Sequence, residues 1–92
     1  MIQSFSYADT EKLFKSIAVK RFKKIERAAR RKLLMLNAAT LFDSLRGPPG
    51  SHLETLAGNR KGQFSIRINE QWGICFRWSD RGARDVGIVD YH

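Results

Sequence analysis

The chain has one cysteine, Cys75, in 92 residues, so it can close no internal disulfide. Its two histidines, His52 and His92, are too few to complete a zinc site with that thiol at any standard spacing. No metal or other cofactor is therefore expected. Long apolar runs are also missing. The longest aliphatic stretch is Leu33 to Leu36, far short of the ~20 residues a membrane-spanning helix requires. The opening Met1-Ile2-Gln3-Ser4-Phe5 carries neither the charged lead nor the apolar stretch of a secretory leader. The cytoplasm is the expected location. Proline occurs twice, side by side in Gly47-Pro48-Pro49-Gly50, so helix is broken decisively at one place only. Acidic residues are scarce as well: 9 Asp and Glu face 17 Lys and Arg, and the net charge of +8 favours a polyanionic partner.

What is present is enough for a packed core. Hydrophobic residues make up 42% and aromatics 11%, and a chain of this length is expected to form a single domain over residues 1–92. Residues 2–5 read as a short opening strand. Ser6 with Asp9 three positions on reads as a cap for a first helix from about Tyr7 to Ala18, burying Leu13, Phe14 and Ile17. Phe22, Ile25, Ala29, Leu33 and Leu36 recur at intervals of three and four and form the inward stripe of a second helix. Thr40 and Asp43 suggest a further short turn through Leu41, Phe42 and Leu45, ended by the glycine–proline loop.

From Gln63 the period becomes two. Phe64, Ile66 and Ile68 alternate with Ser65, Arg67 and Asn69; Ile74, Phe76 and Trp78 alternate with Gly73, Cys75 and Arg77; Val86 and Ile88 alternate with Gly87 and Val89. Three antiparallel strands follow. Matching the apolar rows places Phe64, Ile66 and Ile68 opposite Trp78, Phe76 and Ile74, with Glu70-Gln71-Trp72 as the turn. The same matching across Ser79 to Ala83 pairs Phe76 with Val86 and Ile74 with Ile88. Even-numbered residues then face the core. The odd face gathers Arg67, Gly73, Cys75, Arg77, Val89 and Tyr91. The expected fold is α+β, a small antiparallel sheet with two N-terminal helices packed on one face.

The excess charge is concentrated. Lys20, Arg21, Lys23, Lys24, Arg27, Arg30, Arg31 and Lys32 stand against Glu26 alone within the second helix. Such a surface can line an RNA groove, since each neutralised phosphate releases counterions, or it can be a solvated helix face that keeps the protein soluble. Arg67 and Arg77 on the open sheet face can hold a phosphate, or be ordinary surface residues. The C-terminal Asp90-Tyr91-His92 sets a carboxylate, a phenol and an imidazole side by side. RNA cleavage without a metal needs a base for the ribose 2′-hydroxyl and an acid for the leaving 5′-oxygen, and these groups can supply both. The alternative is a frayed terminus. Glu54 and His52 are further candidates for the same chemistry.

Gly47-Pro48-Pro49-Gly50, Leu53-Glu54-Thr55-Leu56, Gly58-Asn59-Arg60, the run Gly62 to Asn69, Gln71-Trp72, Ile74-Cys75-Phe76 and the closing Val89-Asp90-Tyr91-His92 together resemble the HigB-type toxins of the RelE superfamily. The resemblance covers essentially the whole chain. It implies a RelE-like fold and a ribosome-dependent endoribonuclease that cuts mRNA in the aminoacyl site, leaving a 2′,3′-cyclic phosphate. It further implies a HigA-like antitoxin with a helix-turn-helix domain, through which the pair would bind operator DNA. Asp90, Tyr91 and His92 match the family's catalytic ending, with Glu54 and Arg67 as supporting candidates. Arg60, with Lys61, becomes a candidate contact to ribosomal RNA or a plain turn residue. The chain departs from the family pattern at Gly73, where an arginine commonly follows the Gln-Trp pair, and at Ala57, where a lysine is common. Two phosphate-stabilising charges are thus missing, which predicts an attenuated toxin. The alternatives are a homologue that binds ribosome and antitoxin without cutting, or a small DNA-binding regulator acting through the basic helix.

Overall fold

A computed structural model describes residues 1–47 and 51–90. Phe22, Ile25, Ala29, Leu33 and Leu36 are all buried, as their spacing predicts. They do not lie on one regular helix, however. Lys20–Ile25 winds as a 3-10 turn and runs directly into helix α2, Glu26–Ala38. Phe22 and Ile25 are three residues apart, so a three-residue turn keeps both inward.

Helix α1 is shorter than expected, Ala8–Phe14. Ser16 adopts a left-handed φ of 67°. The Ser16 and Ile17 N–H groups donate back to the carbonyls of Leu13 and Lys12, the pair of bonds that closes a helix in a Schellman motif. Ile17 is thereby carried past the helix end and left 51% exposed instead of buried. The expected Ser6 cap is also absent: Tyr7 occupies the capping position with no side-chain bond, and Ser6 Oγ donates to the Asp85 carbonyl (2.8 Å). The same correction applies at Thr40. The turn Phe42–Arg46 has Leu41 at its start and no side-chain cap, and it buries Leu45 but not Leu41.

The sheet has four strands in the order β1-β2-β3-β4, all antiparallel: β1, Glu54–Thr55; β2, Phe64–Arg67; β3, Trp72–Ser79; β4, Gly82–Asp90. Strand β1 has too few residues to show periodicity and was not foreseen. The opening residues do run extended, but beside β4 in parallel, with Phe5 bridging Val86. Gln3 and Ser6 donate to the Ala83 and Val86 carbonyls, Val86 donates to Ser4, and Thr10 Oγ1 takes the Ile88 N–H (3.0 Å). An edge that would otherwise expose unpaired donors is closed.

Registers differ from the expectation in two places. Phe64 faces Phe76 and Ile66 faces Ile74, a slip of two residues that leaves every side chain on its expected face. The turn chemistry decides it. Asn69 Oδ1 accepts the Gln71 and Trp72 N–H groups (2.8 and 2.7 Å), while the Trp72 carbonyl accepts those of Ile68 and Asn69. Between β3 and β4, Ile74 faces Ile88 as expected, but Phe76 has no single partner, because the register shifts between Cys75 and Arg77. Asp85 and Val86 share the place opposite Phe76, and Asp85 takes a φ of 52°. This bulge lets Ala83, Val86 and Ile88 all point into the core despite their mixed parity. The loop expected over Ser79 to Ala83 is a two-residue turn closed by Ser79 and Gly82. A Cβ on Gly82 would collide with the Met1 carbonyl.

Asn69→Ala should lower the unfolding free energy by about 1 kcal/mol, the scale of a lost side-chain cap. Asn69→Asp should retain most of it. Urea midpoints of the three proteins check this.

Candidate active site and nucleic-acid interface

Paired residues on neighbouring strands project to the same face. One row of the odd face is therefore Arg67, Gly73 and Val89; the next is Glu54, Ser65, Cys75 and Gly87; a third contains Arg77 and Arg84. This face is less open than the sequence suggested. Ser65, Gly73, Cys75 and Gly87 are buried. Tyr7 covers Gly87, where a Cβ would come within 2.7 Å of the phenol ring.

Tyr7, Arg21 and Arg60 converge with Ile88, Val89 and Asp90 around a cleft of about 330 Å³ at the C-terminal end of β4. Tyr7 was not among the sequence candidates. The one available signal was Gly87, since a glycine inside a strand often marks close approach by another group. Arg60 comes from the turn Gly58–Arg60. Burial pushes the Cys75 thiol above its ordinary range, with Arg60 pulling in the opposite direction. Arg67 is half-buried, and its backbone N–H donates to the Ser51 carbonyl (2.6 Å). Its guanidinium pairs with no described carboxylate.

Asp90 stands opposite Trp72, so its side chain leaves the sheet on the other side from Arg67 and Val89. Its Oδ2 accepts from Gln71 Nε2 (3.0 Å), tying the end of β4 to the β2–β3 turn. Glu54 is exposed on the edge strand β1 and His52 is exposed just before it, with a φ of 47°. Tyr91 and His92, like Pro48 to Gly50, lie outside the described residues.

The basic segment divides into two surfaces. Lys20, Arg21, Lys23 and Lys24 line a cleft of about 490 Å³ with Asn69, Gln71 and Trp72 from the β2–β3 turn. The Arg21 guanidinium lies 5.4 Å from the Trp72 ring centre and 3.9 Å from Asp9, and Arg21 belongs to both clefts. Arg27, Arg30 and Arg31 instead line a groove on the outer side of α2 with Glu26 and Leu34. Two candidates have partners within the fold. Arg30 donates to Glu26 (2.6 Å) and to the Leu13 carbonyl at the end of α1 (3.0 Å). Arg77 sits 3.6 Å from Asp85, the bulge residue. Lys32 closes the basic segment. It donates to the buried Ser51 Oγ (2.6 Å), and desolvation, then Arg31, lowers its pKa. Among the described residues no group of three or more His, Cys, Asp and Glu could hold a metal ion, and no helix is long and apolar enough to cross a membrane.

Residues 2–92 match the HigB-like toxin family, RelE-like toxins of type II toxin–antitoxin systems. The chain belongs to this family. The HigB-like chain is 50% identical to Toxin HigB-1 of Vibrio cholerae over 68 residues, which cover 74% of this chain and 70% of that protein. It is 34% identical to an uncharacterized protein of Haemophilus influenzae over 62 residues, 67% of this chain and 60% of the other. The YoeB–YefM complex from Staphylococcus aureus contains a similar fold, with a TM-score of 0.62, 19% identity, and coverage of 100% of this chain and 95% of that one. The HigB-like chain is thus a toxin of a toxin–antitoxin system with the α+β fold expected of it, and its partner is an antitoxin.

Because folding raises the Cys75 pKa above its ordinary value of 9.0, the native protein binds this proton more tightly than the unfolded chain does. This contribution to stability is therefore lost as pH climbs past 9.0. Alkylation of Cys75 by iodoacetamide at pH 8 should be slower in the native protein than in urea, because the buried thiol holds less thiolate and is shielded from the reagent. Mass spectrometry of the time course checks it.

Proposed function

We propose that the chain is a ribosome-dependent, metal-independent mRNA endoribonuclease that inhibits translation and growth. The observation that carries this reading is the convergence of Tyr7, Arg21 and Arg60 on one cleft beside the final residues of β4, from which the chain continues into Tyr91 and His92. Family membership supplies the expectation that the closing tripeptide acts there.

In the proposed reaction the ribose 2′-oxygen attacks the adjacent phosphorus. Its proton passes to a base, the bond to the 5′-oxygen breaks, and an acid protonates that leaving oxygen, so the products are a 2′,3′-cyclic phosphate and a 5′-hydroxyl. His92 and Tyr91 are the candidates for these transfers, and Asp90, whose side chain leaves the sheet on the side away from Arg67, holds the β2–β3 turn through Gln71. The guanidiniums of Arg21, Arg60 and Arg67 are the groups available to stabilise charge on the phosphate oxygens. Arg67 shares its row with Gly73, the place where the family commonly has a second arginine. Attenuated cleavage follows from that missing charge and from Ala57. Glu54, exposed at the sheet edge, is a contact to substrate or ribosome rather than part of the cleft. Lys20, Lys23 and Lys24 extend the cleft's field along the second pocket, where the ribosome and mRNA would lie. We assign the antitoxin to the HigA-like helix-turn-helix class, with operator DNA bound only through the complex, and we place the toxin in the cytoplasm.

Mapping of mRNA 5′ ends on programmed ribosomes tests the reading. The purified chain should produce cuts at the aminoacyl site that need ribosomes, and His92→Ala should reduce them by about 10² or more, the scale of a lost general acid or base. Ribosome binding with no cuts would leave a binding-only homologue. In the same assay Gly73→Arg should increase cutting by up to about 10² to 10³, the effect of one oxyanion contact, and an unchanged rate would refute the explanation of attenuation. Gly87→Ala should lower cutting about tenfold or more by displacing Tyr7, with the cost read in kcat and not in ribosome affinity.

A further inference from the structure

We propose that the outer side of α2, around Arg27, Arg31 and Leu34, is the docking surface for the antitoxin, and that its occupant is an antitoxin segment carrying carboxylates beside an apolar anchor. This rests on membership of the toxin–antitoxin family and not on the cleavage reading.

Arg27, Arg31, Leu34 and Ala38 follow at intervals of four, three and four, which places them on one helical stripe, and all four are exposed. The first half of the stripe is cationic and the second apolar. Glu26, the one carboxylate in the groove, is taken by Arg30 (2.6 Å), whose other bond holds the Leu13 carbonyl. Arg27 and Arg31 are left without a described counter-charge. The Arg31 charge is felt locally: after desolvation, it is the second cause of the lowered Lys32 pKa.

Leu34 decides the kind of partner. It is 59% exposed at the end of the groove, one turn beyond Arg30 and Arg31. A leucine gains nothing against phosphates, whereas an exposed apolar side chain beside cations offers both an anchor and a charged flank to a peptide. The other cationic surface is built differently. Lys20, Arg21, Lys23 and Lys24 share their cleft with two side-chain amides, an indole and Ile25, which is buried rather than offered to a partner, and Arg21 joins it to the cleft at the end of β4, a lining suited to RNA. One run of cations therefore serves two partners on two surfaces.

The test is capture of the full-length chain by its tagged cognate antitoxin, titrated without ribosomes or mRNA, so that failure of the cleavage reading leaves the result intact. Leu34→Glu should weaken binding at least about thirtyfold, the scale of an interface hot spot, and Leu34→Ala by a smaller factor in the same direction. Arg27→Glu with Arg31→Glu should weaken it comparably, while Lys23→Glu with Lys24→Glu should leave it within about threefold. Thermal melts verify folding, which an exposed position tolerates. Unchanged affinity in Leu34→Glu, or equal loss in the Lys23 and Lys24 pair, would overturn the assignment. Loss of ribosome binding with intact antitoxin capture in the Arg27 and Arg31 pair would give the groove to RNA instead.

Discussion

The structure depends on one constraint: the apolar rows of the sheet must lie under α2. Ile66, Ile74, Phe76 and Ile88 share a core with Leu33 and Leu36, and each fully buried aliphatic or aromatic side chain is worth roughly 1.5–3 kcal/mol relative to exposure. A one-residue slip in any strand would turn its whole row to the wrong side. The odd face is thus fixed by what the even face must do. Arg67, Cys75 and Val89 occupy it because Ile66, Ile74 and Ile88 are excluded from it. The bulge at Asp85 is the single place where parity is broken, and the break itself keeps Ala83 and Val86 in the core.

This constraint explains which features were legible in the sequence. Face assignment along β2 and β3 was readable because burial forbids the alternative. The β2–β3 pairing was not, because a slip of two residues preserves both faces and apolar patterning cannot tell the two registers apart. Asn69, whose carbonyl oxygen collects two backbone N–H groups, carries the missing information, and it is turn chemistry rather than hydrophobicity. The end of α1 was misplaced for a similar reason: Ile17 continues the apolar spacing, but the left-handed Ser16 stops the helix before it. At the site, the arginines were visible as charges while their duties were not. Whether a guanidinium meets Glu26, Asp85 or open solvent depends on contacts made across the fold. Tyr7 was invisible because it reaches the cleft from the opposite end of the chain.

Two groups stand out among the cations. Arg30 joins α1 to α2 and Arg77 braces the bulge, so each is charged, partnered and structural. Lys20, Lys23, Lys24, Arg27, Arg31, Arg60 and Arg67 have no ion pair with a described residue. Like charges gathered on so small a surface repel one another, and exposed pairs would recover only about 0–1 kcal/mol each if carboxylates were supplied. Such a surplus does little for the folded state and is relieved when polyanions or acidic segments bind. Net charge alone indicates that relief is available. The neighbours differ between the clefts: an indole, two amides and Ile25 in one, Leu34 in the other.

The N-terminal ten residues bind stability and function together. Their backbone closes the β4 edge through Gln3, Ser4 and Ser6, and Thr10 Oγ1 takes the Ile88 N–H that no strand reaches. The same segment carries Tyr7 onto Gly87 and Asp9 to within 3.9 Å of Arg21. A β4 without this cover would expose donors along an edge and would also lose Tyr7 from the cleft and Asp9 from Arg21. The cleft at the end of β4 is thus lined by residues from the first and last parts of the chain, so local opening of this edge would take it apart.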